Sequence, residues 1–205
     1  MLIKRVFCLM FIIYIVGLAI PAFSANPEPP KNTLVFTQDF QNIPDNGWTN
    51  LDFPKNVQLA GLYYIELSNL NGTVGCWGSK KDPYSDGPNK EVLTAWQDEV
   101  PLEGGKADFK LQYRLKSGAW VELIAIAAQG VISDIWNPFG LQSAKKTIGQ
   151  TFLALDSFTG VGLSTPTWNT ANSGCTVTLY SAEGKNQPVE SPGKLATRWG
   201  EIKNK

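Results

Sequence analysis

Tryptophan is the residue type in this sequence best suited to holding a ligand. The chain contains seven tryptophans, and four of them stand beside turn-forming residues: Trp48 in DNGWT, Trp77 in GCWGS, Trp136 in DIWNPFG and Trp168 in TPTWNT. A rigidly held indole face packs on the apolar face of a sugar ring, while nearby polar side chains bond the sugar hydroxyls. The four side chains therefore predict a carbohydrate-binding surface, with core packing as the alternative for each ring taken alone.

Two aspartates form the candidate metal site. Asp82 and Asp86 lie four residues apart in the loop DPYSDG, and Asn89 follows shortly after. Calcium prefers oxygen ligands clustered on a turning backbone. Asp82 and Asp86 are therefore candidate calcium ligands, with a plain solvated turn as the alternative, and we expect no cofactor to be required.

Carboxylates offer the main route to catalysis, because the chain contains no histidine. This composition excludes Ser-His and Cys-His triads and argues against the common zinc sites. Glu66 and Glu122 lie in strongly apolar segments and are the candidates for a glycosidase carboxylate pair. Neither belongs to a recognisable catalytic motif, so a non-catalytic function is preferred.

The charge balance argues against a polyanionic partner. Lys plus Arg and Asp plus Glu each number 18. The chain therefore has no basic excess with which to hold a phosphate backbone. We predict that it binds no nucleic acid.

The first residues have the pattern of an export signal. Lys4 and Arg5 precede an apolar run from Val6 to Ile20, and small residues follow it. This arrangement predicts a signal peptide over residues 1–24, followed by a Pro-rich leader over 25–32 and one domain over 33–205. We therefore predict a secreted or periplasmic protein with no membrane span in the mature chain, and an uncleaved anchor is the alternative.

Two cysteines, Cys76 and Cys175, remain after removal of the signal peptide. In an oxidising compartment such a pair predicts one disulfide. The residues are 175 − 76 = 99 positions apart, so the bond would connect distant strands. A pair of buried free thiols is the alternative.

Hydrophobic alternation predicts an all-β fold. Residues 107–115, ADFKLQYRL, alternate apolar and polar side chains, as in a strand with one solvated face. The apolar run 119–128 follows the turn signal Ser117-Gly118 and is expected to be the second, fully buried strand of a hairpin. Further strands are predicted at 33–40, 57–68, 73–77, 92–97, 150–155, 158–164 and 175–181. About nine or ten strands predict a single antiparallel β-sandwich of jelly-roll type, with an up-and-down barrel as the alternative.

Residues 147–180, TIGQTFLALDSFTGVGLSTPTWNTANSGCTVTLY, resemble the closing hairpins of accessory β-sandwich domains attached to secreted bacterial glycoside hydrolases. The shared features are a Gln-x-Phe strand, a Phe-x-Gly-Val turn and strand, a Thr-Pro-x-Trp loop and a final Thr-Val-Thr-Leu-Tyr strand. Residues 33–68 are similar to galactose-binding-like jelly-roll modules. The resemblance implies a carbohydrate-binding jelly roll with Trp168 near an end loop.

These observations together predict a secreted, non-catalytic module that recognises a polysaccharide or cell-surface glycan through loop aromatics. The alternatives are a carboxylate-dependent glycan-cleaving enzyme, a structural or adhesive surface protein, and a lipid-binding barrel.

Overall fold

The fold is built from antiparallel strands. The structure, a computed structural model, describes residues 28–53, 55–80, 94–123, 136–141, 143–144 and 146–182. The thirteen strands in these ranges are β1 Thr33–Phe40, β2 Gly47–Asp52, β3 Gly61–Asn71, β4 Gly75–Ser79, β5 Thr94–Gln97, β6 Val100–Pro101, β7 Asp108–Phe109, β8 Leu111–Leu115, β9 Trp120–Glu122, β10 Trp136–Gly140, β11 Ile148–Ala154, β12 Phe158–Thr165 and β13 Gly174–Ser181. A short 3-10 helix, Leu102–Gly105, follows β6. No helix within the described ranges is long and apolar enough to cross a membrane.

The strands form two packed layers. The first layer is a six-stranded sheet in the order β1-β13-β3-β11-β5-β6. The second layer consists of a four-stranded sheet, β2-β12-β8-β9, and a three-stranded sheet, β10-β4-β7. All pairings between these strands are antiparallel. The predicted all-β antiparallel sandwich is therefore confirmed, whereas the jelly-roll connectivity stays a prediction.

Backbone hydrogen bonds join the two sheets of the second layer into one surface. Lys110 separates β7 from β8, and its N–H donates to the carbonyl oxygen of Trp77 in β4 (2.7 Å). The carbonyl oxygen of Lys110 accepts from the N–H of Ser164 in β12 (3.0 Å). Gly75, at the start of β4, donates to the carbonyl oxygen of Pro166, just beyond β12 (3.0 Å). As a result, β4 continues the line of β12 along residues 108–115.

Aromatic rings pack between the layers around Phe158. This residue of β12 is fully buried. Its ring centroid lies 4.9 Å from that of Tyr63 and 6.1 Å from that of Phe152, both in the first layer. The ring centroids of Phe53 and Tyr113 lie 5.8 Å and 5.9 Å away. All four contacts are edge-to-face, which is favourable for the ring quadrupoles. Phe158 therefore connects β3 and β11 of the first layer with β8 of the second.

Several strand positions follow the alternation in the sequence. β1 has the predicted bounds, and β12 and β13 each begin and end within one residue of theirs. The strands β2, β6 and β10 were not predicted. In β2, the buried positions include Thr49 while Trp48 faces outward, so the usual contrast between an apolar inner and a polar outer face is lost. In β10, Pro138 interrupts the strand pattern.

The hairpin of β8 and β9 is only partly as predicted. The two strands pair in antiparallel register, and Gly118 in the connecting turn has a φ of +93°. The prediction that the second strand is fully buried is wrong for β9, because Trp120, Val121 and Glu122 are each half-buried. β9 lies at the end of its described sheet and keeps one solvated face. Residues 124–128 of the predicted strand lie outside the described residues.

Cys76 and Cys175 both lie in the hydrophobic core, one in each layer. Both are free thiols in the structure, so the predicted disulfide is not formed there. Burial raises the pKa of both thiols, to about 12 for Cys175, and the charge of Cys175 adds to the rise at Cys76. Both thiols are therefore protonated at neutral pH.

We expect Phe158→Ala to lower the free energy of unfolding by about 3–5 kcal/mol, because it removes the ring that joins the layers and leaves a cavity. Urea denaturation measures the change. Leu59→Ala is the control, since Leu59 is 61% exposed and its truncation should change stability by about 0.5 kcal/mol or less. A loss no larger for Phe158→Ala than for the control would contradict the packing described here.

Candidate functional site

The outer surface of the second layer carries Trp48, Trp77, Trp120 and Trp168. Side chains alternate between the faces of a strand. The residues after Trp48 and Trp120 and the residue before Trp77 point inward, so these three rings are directed outward, and all three are half-buried. Trp168 is 46% exposed and lies in the turn after β12. We call the surface defined by these four residues the tryptophan face.

A glycine at the centre of this face lets polar side chains lie across β12. Gly162 lies between Asn50 of β2 and Gln112 of β8. A Cβ atom at Gly162 would be 2.0 Å from the amide oxygen of Asn50, so any larger residue would displace that side chain. The same oxygen accepts a hydrogen bond from Nε2 of Gln112 (2.8 Å). Glu122 of β9 lies opposite Gln112 and extends this polar row.

Trp120 crosses the same strand two residues away. Its Cη2 atom would be 3.2 Å from a Cβ atom at Gly160, so the indole lies over that glycine. The guanidinium carbon of Arg114 is 5.8 Å from the centroid of the Trp120 ring, within cation–π range. Both terminal nitrogens of Arg114 donate to the carboxylate of Asp52, one of them at 2.8 Å. Gly160 and Arg114 together fix the position of the Trp120 ring.

Asn46 and Lys110 connect Trp77 with Trp48. The indole N–H of Trp77 donates to Oδ1 of Asn46 (2.9 Å), and Trp48 follows Asn46 by two residues. Nζ of Lys110 lies 5.4 Å from the centroid of the Trp48 ring and 3.1 Å from Oε1 of Glu122. Because the backbone of Lys110 also bonds that of Trp77, this lysine contacts both tryptophans.

Trp168 is held in a strained turn. Its φ is +51°, in the left-handed region that costs a bulky side chain on the order of 1–3 kcal/mol. Asn169 beside it has a φ of +56°, which asparagine tolerates. The carboxylate of Asp45 accepts the backbone N–H of Thr167 (2.6 Å). This hydrogen bond, with others from the N–H groups of Trp168 and Asn169, lowers the pKa of Asp45. At the other end of the side chain, Cη2 of Trp168 would be 2.9 Å from a Cβ atom at Gly75.

The structure brings together three of the four predicted tryptophans, Trp48, Trp77 and Trp168. Trp48 and Trp77 are strand residues and not loop residues, which corrects the expectation of loop aromatics. Trp136 begins β10 opposite Ser79, and its side chain lies outside the described part of the structure. Sequence reasoning missed Trp120, because the apolar run that contains it suggested a buried strand. Its place directly after the hairpin turn was the available signal.

The predicted calcium ligands Asp82 and Asp86 lie outside the described residues. Within the described ranges, no group of three or more His, Cys, Asp or Glu side chains is arranged to hold a metal ion. Calcium binding at the DPYSDG loop stays a prediction.

Glu66 and Glu122 do not form a carboxylate pair. Glu66 lies on β3 of the first layer, and the residues on either side of it point into the core. Glu122 lies on β9 of the second layer, and Val121 before it packs against the core. Both carboxylates are thus directed away from the space between the layers, which themselves lie about 10 Å apart in a sandwich. The separation exceeds the roughly 5–9.5 Å of glycosidase carboxylate pairs.

Glu66 instead has a structural partner. Its Oε2 lies 2.6 Å from Nζ of Lys31 and accepts the hydroxyl of Tyr64 (3.2 Å). Burial by itself would lower the pKa of Lys31, but the hydrogen bonds and charges of Glu66 and Glu99 outweigh it and raise that pKa above 10.5. The negative charge of Glu66 is thereby balanced by the positive charge of Lys31.

Comparison with known proteins finds no counterpart for this chain: no protein-family model, no curated protein and no solved structure matches it. The candidate site therefore rests on the geometry of the tryptophan face alone.

We expect Asp45→Ala to release the Trp168 turn, because it removes the acceptor of the Thr167 N–H. The tryptophan fluorescence emission spectrum should shift when Asp45→Ala is made in the wild-type protein and should shift much less when it is made in a Trp168→Phe protein. The difference between the two shifts isolates the contribution of the Trp168 ring. Equal shifts in the two backgrounds would contradict a positioning role for Asp45.

The turn should also loosen in acid. Asp45 has a folded-state pKa below its ordinary value of 3.8, so its stabilisation is complete above 3.8 and is lost as the pH falls through the lower, folded-state value. Asp45→Asn keeps an acceptor oxygen without a titrating group, and the part of the acid transition that depends on Asp45 should disappear in this variant. The measurement is the Trp168-dependent emission between neutral pH and about pH 2.

Proposed function

We propose that the tryptophan face binds carbohydrate without catalysis, as part of a secreted module of the accessory β-sandwich kind. The observation that carries the proposal is the convergence of Trp48, Trp77 and Trp168 on the Asp45-Asn46 turn, with Trp120 on the same outer surface. Four partly exposed indoles on one outer face lie outside the core and do not fill it.

The chemistry of the face suits sugars. An indole presents an apolar surface on which the C–H side of a pyranose packs, and its N–H can be satisfied by the protein, as Asn46 does for Trp77. Asn50 is half-buried and adds an amide NH2 group that can donate to a sugar hydroxyl, and the buried Gln112 holds it in place through the 2.8 Å hydrogen bond to its Oδ1. Flat rings beside fixed amides are the arrangement by which proteins orient a sugar.

Rigidity of the face also supports binding. Trp120 lies over Gly160, the ring tip of Trp168 approaches Gly75, and Lys110 is placed beside Trp48. Side chains that are already fixed lose little rotamer freedom when a ligand binds, so more of the contact energy contributes to affinity.

We expect Trp48→Ala to weaken glycan binding by about 1–3 kcal/mol, a 5- to 150-fold loss, because it removes a stacking surface. Titration calorimetry with a ligand selected from a glycan array measures the loss. Leu34→Ala is the matched control, since Leu34 is an apolar residue of the first layer with 58% exposure; its affinity should equal that of the wild type. Unchanged affinity for Trp48→Ala and Trp77→Ala, with intact folding, would refute the proposal.

The proposal includes export and a disulfide. Export would bring Cys76 and Cys175, which lie in the same core, into an oxidising compartment, where a pair of cysteines favours a disulfide. A disulfide enclosing about 100 residues stabilises a fold by up to roughly 4.7 kcal/mol in the chain-entropy treatment.

We therefore expect protein recovered from an exporting host to resist alkylation under denaturing conditions and to lose stability on reduction. Intact mass with and without reductant measures the bond, and Cys76→Ala is the control that cannot form it. Two alkylated cysteines in exported, unreduced protein would show that the thiols stay free. Calcium binding at Asp82 and Asp86 is tested separately, by adding a chelator to the glycan-binding titration.

A further inference from the structure

We infer that the ligand of the tryptophan face is an extended, uncharged polysaccharide chain that contacts the protein through several sugar units. This inference rests on the proposed carbohydrate binding and adds the class of ligand. It follows from the length of the face and from its balance of charges.

The two ends of the four-stranded sheet carry separate stacking surfaces. Trp48 lies on β2 opposite Ser164, and the ring of Trp120 covers Gly160, four residues away along β12. At about 3.4 Å per residue, four residues of a strand correspond to roughly 14 Å. A single sugar ring cannot reach both indoles, whereas a linear chain laid along β12 can.

The row of tryptophans continues past Trp48. Because the backbone of Lys110 bonds both Trp77 of β4 and Ser164 of β12, β4 prolongs the line of β12 along residues 108–115. Trp77 stands on this prolongation, and the ring tip of Trp168 lies over Gly75, two residues before it. The indoles grouped near the Asp45-Asn46 turn and the separate indole of Trp120 therefore lie along one direction across the second layer.

Uncharged hydrogen-bonding groups occupy the space between Trp48 and Trp120. Asn50 and Gln112 bridge β12 there through the 2.8 Å hydrogen bond between their amides. Gly162 beneath them carries no side chain, so the row lies close to the backbone. The order of groups along β12 is thus indole, amide pair, indole, which fits sugars that alternate stacking and hydroxyl contacts along a chain.

Lys110 and Arg114, on the described part of the face, are each paired with a carboxylate. Lys110 lies 3.1 Å from the carboxylate of Glu122, and Arg114 forms a two-pronged pair with Asp52. Asp45 adds a further negative charge at the Trp168 turn. A uronate or sulfate group would have to break an existing ion pair to gain a cation, so a neutral chain is the better ligand.

The test is calorimetric titration of the full mature protein with cello-, xylo-, manno- and chito-oligosaccharides from the disaccharide to the hexasaccharide, and with polygalacturonate. We expect the affinity for at least one neutral series to rise tenfold or more with chain length. Trp120→Ala should reduce hexasaccharide affinity about 5- to 150-fold and disaccharide affinity less than twofold, because the short ligand occupies the Trp48 end. If Trp120→Ala does not fold, Trp120→Leu keeps an apolar cover over Gly160 without the flat ring.

Affinity independent of chain length would overturn the extended-chain inference while leaving carbohydrate binding intact. Tighter binding of polygalacturonate than of the neutral oligosaccharides, weakening as salt is raised, would show that the ligand is charged. That result would overturn the uncharged-ligand inference and leave carbohydrate binding intact. Absence of binding to every sugar on the panel and on a broad glycan array would instead refute the proposed function, and the inference with it. The Leu34→Ala protein serves as the control in each titration.

Discussion

The position of β12 is the constraint on which the arrangement of this protein depends. Its first residue, Phe158, is packed edge-to-face against two rings of the first layer and two others, so the strand cannot shift without breaking the contact between layers. On its opposite face the same strand carries Gly160 and Gly162; Trp120 of β9 lies over the first and Asn50 of β2 over the second. The core therefore determines where the outer face places its indoles and amides.

The two glycines of β12 have a cost in local stability. A residue without a side chain loses more backbone entropy on folding and adds nothing to packing, so two glycines weaken a strand interior. Here the loss is offset by Trp120 above Gly160 and by the Asn50–Gln112 hydrogen bond above Gly162. Their positions are thereby fixed by the backbone beneath them.

The outer faces of the two layers differ in how deeply their aromatic side chains are buried. On the first layer Tyr64, Glu66 and Trp96 are almost fully buried, and their polar atoms bond to Lys31, to one another or to Thr151. On the second layer the indoles are half-exposed, and Trp168 is kept in a left-handed conformation by Asp45. Strain at a partly exposed aromatic residue persists only where surrounding contacts impose it, which is why the second layer is the candidate site.

The sequence by itself determined the class of fold and the residue types of the site. Alternation in ADFKLQYRL, the turn residues between apolar runs and the bounds of β1, β12 and β13 follow from local side-chain periodicity, which a strand must show when one face is buried. Local pattern also selected Trp48, Trp77, Trp136 and Trp168, because each stands beside turn-forming residues; the side chain of Trp136 lies outside the described part of the structure. It misjudged Trp120, since an apolar run reads as buried whichever neighbours it has.

Only the tertiary structure decided which of these residues meet. The cross-strand register puts Trp48, Gly162 and Gln112 on one face, and register depends on pairings between segments far apart in the chain. The same long-range packing separates Glu66 from Glu122, which the sequence alone left as a conceivable pair. It also assigns Asp45 to the Trp168 turn across 122 residues of sequence. Spacing along the chain carries no information on such contacts, because they are fixed by how the layers pack and not by local periodicity.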